Sequence, residues 1–258
     1  MSNKNISVVL PIYNQEDIIF DILHGVLDNK SDNVKEIIVV LDGCIDNTES
    51  IVKAILKTCN IKVKIIHTPD VNEVIASNIG YKSADCDFIL AVQDDVRIRD
   101  KFYDERLMKP FKIVDNLMIV SGRNADDLKI EDGIIKTFNT SGADTNAARN
   151  VFAIRDVINR GPILIDHKKL KELNYLDETF APLGQDDTDL SLRGNQIGYC
   201  VGSYVIDFES PLHWGTTRKN FKSACIKDFA ERRNIQILIN RYRDLISAPK
   251  HSRDIIIE

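Results

Sequence analysis

The chain has 258 residues, 43% hydrophobic and 28% charged, with a net charge of −5 at pH 7. That is ordinary globular composition, long enough to bury a substantial core. No apolar run approaches the ~20 residues that span a bilayer, and the start MSNKNISVVLPIYN lacks a signal-peptide pattern, so a cytoplasmic protein is the expectation.

The first hundred residues alternate between short apolar runs and amphipathic segments. ISVVL (6–10) predicts a buried strand, and EDIIFDILHGVLD (16–28) a helix. EIIVVL (36–41) predicts a second strand, and TESIVKAILKT (48–58) a second helix with Asp46 or Asn47 as its cap. IKVKIIHT (61–68), EVIASNIGYKS (73–83) and FILAV (88–92) continue the pattern as strand, helix and strand. Such alternation argues for a parallel sheet covered by helices on both faces. The second half is less regular. EDGIIKTFN (131–139) offers an Asp-Gly hairpin turn, GPILI (161–165) a strand, and Asp166 a cap for a helix to about Leu173. Residues 187–198 and 221–247 predict helices, the last with a stripe of Ile235, Leu238, Ile239, Tyr242, Leu245 and Ile246. There is no repeat, low-complexity tract or linker, so one domain is expected.

The five cysteines are scattered without a CxxC pair, which argues against a zinc site or a disulfide framework. From Trp214 onward ten Lys/Arg stand against five Asp/Glu, leaving the tail at about +5 and the remainder at about −10. An acidic body with a basic tail does not suit nucleic acid. It suits carboxylates gathered around something cationic, with a basic end available for phosphate or an anionic surface.

In a parallel sheet the ligand crevice lies beyond the carboxyl ends of the strands. The residues there are Pro11, Tyr13 and Asn14, then Asp42, then His67 and Asp70, then Asp94 and Asp95. Pro11 fixes a turn, and Asn14 either caps a helix or reaches a ligand. Asp42, with Gly43 behind it, either bonds its own turn or accepts a base N–H or ribose hydroxyl. Adjacent carboxylates at the end of an apolar strand suit Mg²⁺ or Mn²⁺ shared with a diphosphate. In LGQDDTDLSLRGNQIGY (183–199), Asp186, Asp187 and Asp189 fall at a helix start. Three acids exceed what capping needs, and one of them can act as general base on a hydroxyl.

Together these segments resemble the family 2 glycosyltransferases, which are inverting, mostly metal-dependent enzymes of GT-A fold. VVLPIYNQE resembles the family's opening strand and turn, and EIIVVLDGCIDNT its Asp-Asp-Gly-Ser segment. ASNIGYKSADCDFILAVQDDV resembles its Ala-x-Asn-x-Gly helix and the strand ending in Asp-x-Asp. NYLDETFAPLGQDDTDLSLRGNQIGY resembles its Phe-Asp-Glu, Glu-Asp and Leu-x-x-Arg run. The resemblance implies an α/β fold of GT-A (Rossmann-like) type. Its mostly parallel central sheet would be flanked by helices, with a smaller acceptor-side region and a C-terminal helical tail. It divides the chain into a nucleotide-sugar half (1–100), an acceptor half (101–213) and a basic tail (214–258).

The same resemblance implies roles. Asp42 contacts the base, Asp94 lies nearest the donor ribose or sugar, and Pro11, Tyr13 and Asn14 line the donor site. Asp95 ligates Mg²⁺ or Mn²⁺, with His213 as a late metal ligand; a histidine beside Trp214 is otherwise structural. Asp187 is the catalytic base, and Asp186 helps position the acceptor. Arg218, followed by Lys219, closes over the diphosphate. The donor is a nucleoside-diphosphate sugar, UDP-sugar favoured, and the acceptor a glycan or lipid-linked hydroxyl. The basic tail offers peripheral contact with a membrane face, whereas packing of its stripe on the body or on a second subunit is the plainer expectation. Three departures stand out: Gln93 replaces the first Asp of Asp-x-Asp, Leu41 the first Asp of the base-binding pair, and Cys44 and Ile45 the small polar residues after Gly43. They leave two rival readings, a non-catalytic sugar-nucleotide or glycan-binding module and a nucleotidyltransferase. The latter normally carries a Gly-rich, basic phosphate loop after its first strand, and PIYNQED is neither.

Overall fold

A computed structural model describes residues 5–215 and 221–258, with side chains from residue 225 in the second segment. Arg218 and Lys219 lie outside the described residues.

The alternating half folds as β1 (Ile6–Ile12), α1 (Ile19–Asn29), β2 (Val34–Asp42), α2 (Thr48–Leu56), β3 (Lys62–Thr68), α3 (Glu73–Lys82) and β4 (Phe88–Ala91). β1, β2 and β4 are buried on both faces, which is why they read as continuous apolar runs rather than alternating ones. α1 sets Ile19, Ile22, Leu23 and Val26 on the sheet at helical spacing. It starts later than the sequence predicts, because the Gln15 carbonyl accepts the Ile18 and Ile19 N–H groups in a tight turn. Gly80 lets α3 settle onto the strands, since a Cβ there would stand 2.4 Å from Val9 Cγ1.

The second half adds β5 (Arg97–Ile98), α4 (Tyr103–Met108), β6 (Leu117–Ser121), β7 (Asn124–Glu131), β8 (Ile134–Gly142), β9 (Val151–Arg155) and β10 (Val157–Ile158). It continues with β11 (Ile163–Asp166), α5 (His167–Glu172), α6 (Asp186–Gln196), β12 (Cys200–Ser203), β13 (Phe208–Glu209), a long C-terminal helix (Phe221–Ser247) and β14 (Arg253–Ile256). The central sheet has nine strands in the order β14-β9-β12-β6-β11-β4-β1-β2-β3. β11 runs against β4 and β6, and β9 against β12 and β14; the remaining strands share one direction. A second sheet, β10-β7-β8, stands over the crevice side, its hairpin turning at Asp132-Gly133 with φ of 53° and 75°.

The stripe of the C-terminal helix is covered by the body. Leu238, Tyr242 and Ile246 pack with Leu128, Val157, Phe180 and Leu192, and Ile239 is buried beside them. Each such side chain contributes roughly 1.5–3 kcal/mol of burial. That face is therefore closed to a membrane or a second subunit. Among the described residues no helix is long and apolar enough to cross a membrane.

Candidate active site

The carboxyl ends of β1, β2 and β4 open into a cleft of about 790 Å³. Pro11, Tyr13, Asp42, Asp94 and Asp95 line it, as do Asp186 and Asp187 from α6.

Asp42 closes β2 with its side chain nearly buried, because strand alternation sends Leu41 into the core and Asp42 to the crevice. Its Oδ1 accepts from Thr68 Oγ1 (2.7 Å) and the Val71 N–H (2.7 Å), and its Oδ2 from the Asn72 N–H (2.9 Å). The carboxylate thus fixes the loop after β3 at the rim of the cleft. Gly43 has φ of 61°, and a Cβ there would meet Asp70 at 2.7 Å, so that loop approaches as closely as glycine permits. Asn14 does not cap α1, whose N-cap is Ile18. Sitting at φ 49°, it accepts the Ile45 N–H with Oδ1 (2.8 Å) and ties the first turn to the second. At the start of α2 the N-cap position is Asn47, whose side chain makes no capping bond, and Asp46 before it accepts the Thr48 N–H with Oδ1 at 3.0 Å.

Asp94 and Asp95 follow β4. Asp94 Oδ2 accepts the Tyr13 N–H at 2.9 Å. Burial pushes its carboxyl up to about 7; the Tyr13 N–H works against that, while the charge of Asp95 adds to it. Gln93, where the family pattern has an acid, donates from Nε2 to Glu73 Oε1 (3.3 Å) at the start of α3.

The opposite wall is the first turn of α6. Asp187 Oδ2 accepts the Arg160 N–H (3.0 Å) and its Oδ1 the Thr188 N–H (2.8 Å). Burial lifts its carboxyl above the ordinary range, while the Arg160 charge and these two donors hold it down. Asp186 is 2% exposed and paired with the Arg160 guanidinium. Asp189, the third acid, points the other way. Wholly buried, it binds Arg193 Nε (2.7 Å) and the Tyr242 hydroxyl (2.6 Å), anchoring the C-terminal helix.

His213 lies in a single turn, Leu212–Trp214, exposed, with its ring 6.3 Å from that of Trp214, and it does not line the cleft. Among the described residues no group of three or more His, Cys, Asp or Glu is spaced to hold an ion. The donor set of Asp94 and Asp95 fits a different arrangement. Mg²⁺ and Mn²⁺ bind through one or two carboxylates when substrate phosphates and water complete the shell.

Two functional positions escaped sequence reasoning, Glu73 and Arg160, both of which line the cleft. Arg160 stands just before the beginning of a strand, not at a strand end. β11 is reversed, with Ile163 opposite Ala91, so it brings its beginning to the crevice. The signal was present in the charged Arg160 placed just before an apolar strand.

No curated protein matches the chain. Its fold is shared with solved structures. Staphylococcus aureus TarS residues 1–349 in complex with UDP is 15% identical, with 77% of this chain and 57% of that one covered and a TM-score of 0.55. GalNAc-T7 with UDP, GalNAc and Mn²⁺ is 14% identical, with 78% and 42% covered and a TM-score of 0.64. The mannosyltransferase PcManGT from Pyrobaculum calidifontis, in complex with GDP-Man and Mn²⁺, is 15% identical, with 84% and 59% covered and a TM-score of 0.60. The chain thus spans between about two fifths and three fifths of the length of these proteins. Residues 7–162, more than half of the chain and the stretch that builds the strand-end carboxylates, match the model of glycosyl transferase family 2, and the chain belongs to that family.

Proposed function

We propose that this protein transfers a sugar from a nucleoside-diphosphate sugar, with a UDP-sugar favoured, to an acceptor hydroxyl on a glycan or lipid-linked acceptor, inverting the anomeric centre. One observation carries the reading: two groups of carboxylates, Asp94 with Asp95 and Asp186 with Asp187, line one cleft at the strand ends. UDP in two of the similar structures and GDP-Man in the third support a nucleotide-sugar donor.

Asp42 and the loop it fixes receive the base and ribose, with Pro11 and Tyr13 along the same wall and Asn14 holding the turn beside them. Asp95, with Asp94 beside it, holds Mg²⁺ or Mn²⁺, and such an ion, when bound, neutralises the leaving diphosphate. Asp187 takes the proton of the acceptor hydroxyl. Its two backbone donors fix the carboxylate, and burial makes it more basic than a surface acid. Asp186, neutralised by Arg160, shapes the floor without competing for that proton.

The test is Asp187→Asn, followed by release of nucleoside diphosphate in the presence of donor and acceptor and, separately, by calorimetric binding of UDP. Transfer is expected to fall roughly 10²–10⁴-fold with nucleotide affinity kept. Transfer at the wild-type rate removes Asp187 from the role of base. Release of pyrophosphate instead of nucleoside diphosphate points to a nucleotidyltransferase.

A further inference from the structure

We propose that Arg160 is a positioning residue that clamps the base-bearing turn of α6 to the donor side of the cleft, and that position 93 is a carboxamide because it completes this clamp. The role in catalysis rests on the reading of Asp187 as the base; the clamp itself does not.

Two helices, α3 and α6, meet at one guanidinium, and the loop after β4 joins them through Glu73. The Arg160 side chain is 14% exposed; its Nη1 pairs with Glu73 Oε1 on α3, and its Nη2 with Asp186 Oδ2 on α6. Its main-chain N–H holds Asp187 Oδ2. Glu73 Oε1, already taken by Arg160, also accepts from Gln93 Nε2 in the loop after β4. The neighbouring carboxylates keep the guanidinium charged although burial alone would favour its neutral form. One cation therefore serves Glu73 and Asp186, and the carboxamide of Gln93 adds a donor without adding charge. An acid at position 93 would set a second carboxylate against Glu73 with no proton between them. The departure from the family pattern at Gln93 is thus matched by Glu73, which supplies a carboxylate from α3, the helix before β4.

The bond to Asp187 comes from the main chain, so replacing the Arg160 side chain does not delete it. What is lost is the anchor that keeps residue 160, and through it Asp187, in register with Glu73. Removing the cation also leaves Asp186 buried without its partner, so Arg160→Met by itself does not separate positioning from folding. A polarity exchange at positions 93 and 73 avoids this. In Gln93→Glu with Glu73→Gln, which keeps both side-chain lengths, the new glutamine donates to the new glutamate while its oxygen still accepts from Arg160.

The experiment combines thermal unfolding with steady-state kinetics on the full chain. Gln93→Glu is expected to lower Tm by roughly 2–4 °C, and adding Glu73→Gln to recover most of that loss. Arg160→Met is expected to lower kcat about 100-fold with donor KM little changed, and Arg160→Lys to restore part of it. Additive Tm changes at 93 and 73 overturn the clamp. A folded Arg160→Met chain with wild-type kcat, or with only its donor KM raised, overturns the positioning role. A wild-type chain that binds nucleotide sugar without transfer overturns the catalytic reading and that role with it, while the Tm cycle still decides the clamp.

Discussion

At the scale of single residues, the departures from the family pattern have local causes. Leu41 is apolar because its side chain belongs to the core, which leaves the crevice to Asp42 alone. Cys44 is half-buried and donates from Sγ to the Ile12 carbonyl at 3.3 Å, closing the first turn from within. Asp94 shows how burial and charge combine. Its carboxyl is lifted to about 7, so in the folded chain it keeps a proton that the unfolded chain, with an ordinary value near 3.8, has already lost. A raised acid stabilises the fold at low pH, and that contribution disappears as pH rises from about 4 to about 7. Urea unfolding across that window is therefore expected to show a fall in stability that Asp94→Asn removes. Parallel pH profiles for the two chains would place the proton elsewhere.

At the scale of elements, the C-terminal helix does more than cover a face. Asn234 is wholly buried, and its Nδ2 donates to the carbonyls of Phe180 (2.8 Å), Leu183 (3.2 Å) and Gly184 (2.8 Å). Those residues form the turn that delivers Asp186 and Asp187. Asn78 holds its approach from the other side, donating to the Leu176 carbonyl and accepting the Leu176 N–H, both at 3.0 Å. Asn234→Ala leaves these carbonyls without their shared donor and is expected to cost about 1–3 kcal/mol in urea unfolding. It is also expected to raise the acceptor KM more than the donor KM, because the turn borders the base and not the nucleotide wall. Equal changes in both would tie the helix to the whole cleft rather than to that turn. The stripe that predicts this helix was legible in its spacing, and so was the hairpin at Asp132-Gly133. β6, β9, β12 and β14 were not. They are runs of four or five residues whose periodicity does not separate strand from loop, and their pairing depends on partners distant in sequence.

At the scale of the whole molecule, the site is where one sheet changes character. From β3 to β4 the strands are parallel and present their ends; at β11 the direction reverses and a strand beginning enters the same crevice. Alternation in the first hundred residues made the first set of groups visible, including Asp42, Asp94 and Asp95. The resemblance singled out Asp187, whereas the charge before β11 marked Arg160 only locally, and its meeting with Glu73 depends on the strand order. The placement of acids on both walls makes transfer by a single displacement the central claim, and stereochemistry tests it most directly. A donor of known anomeric configuration is incubated with acceptor, and the new linkage is read from the anomeric proton by NMR before any equilibration. The expected product carries the opposite configuration to the donor, together with one nucleoside diphosphate per linkage formed. A product that keeps the donor's configuration contradicts the role given to Asp187.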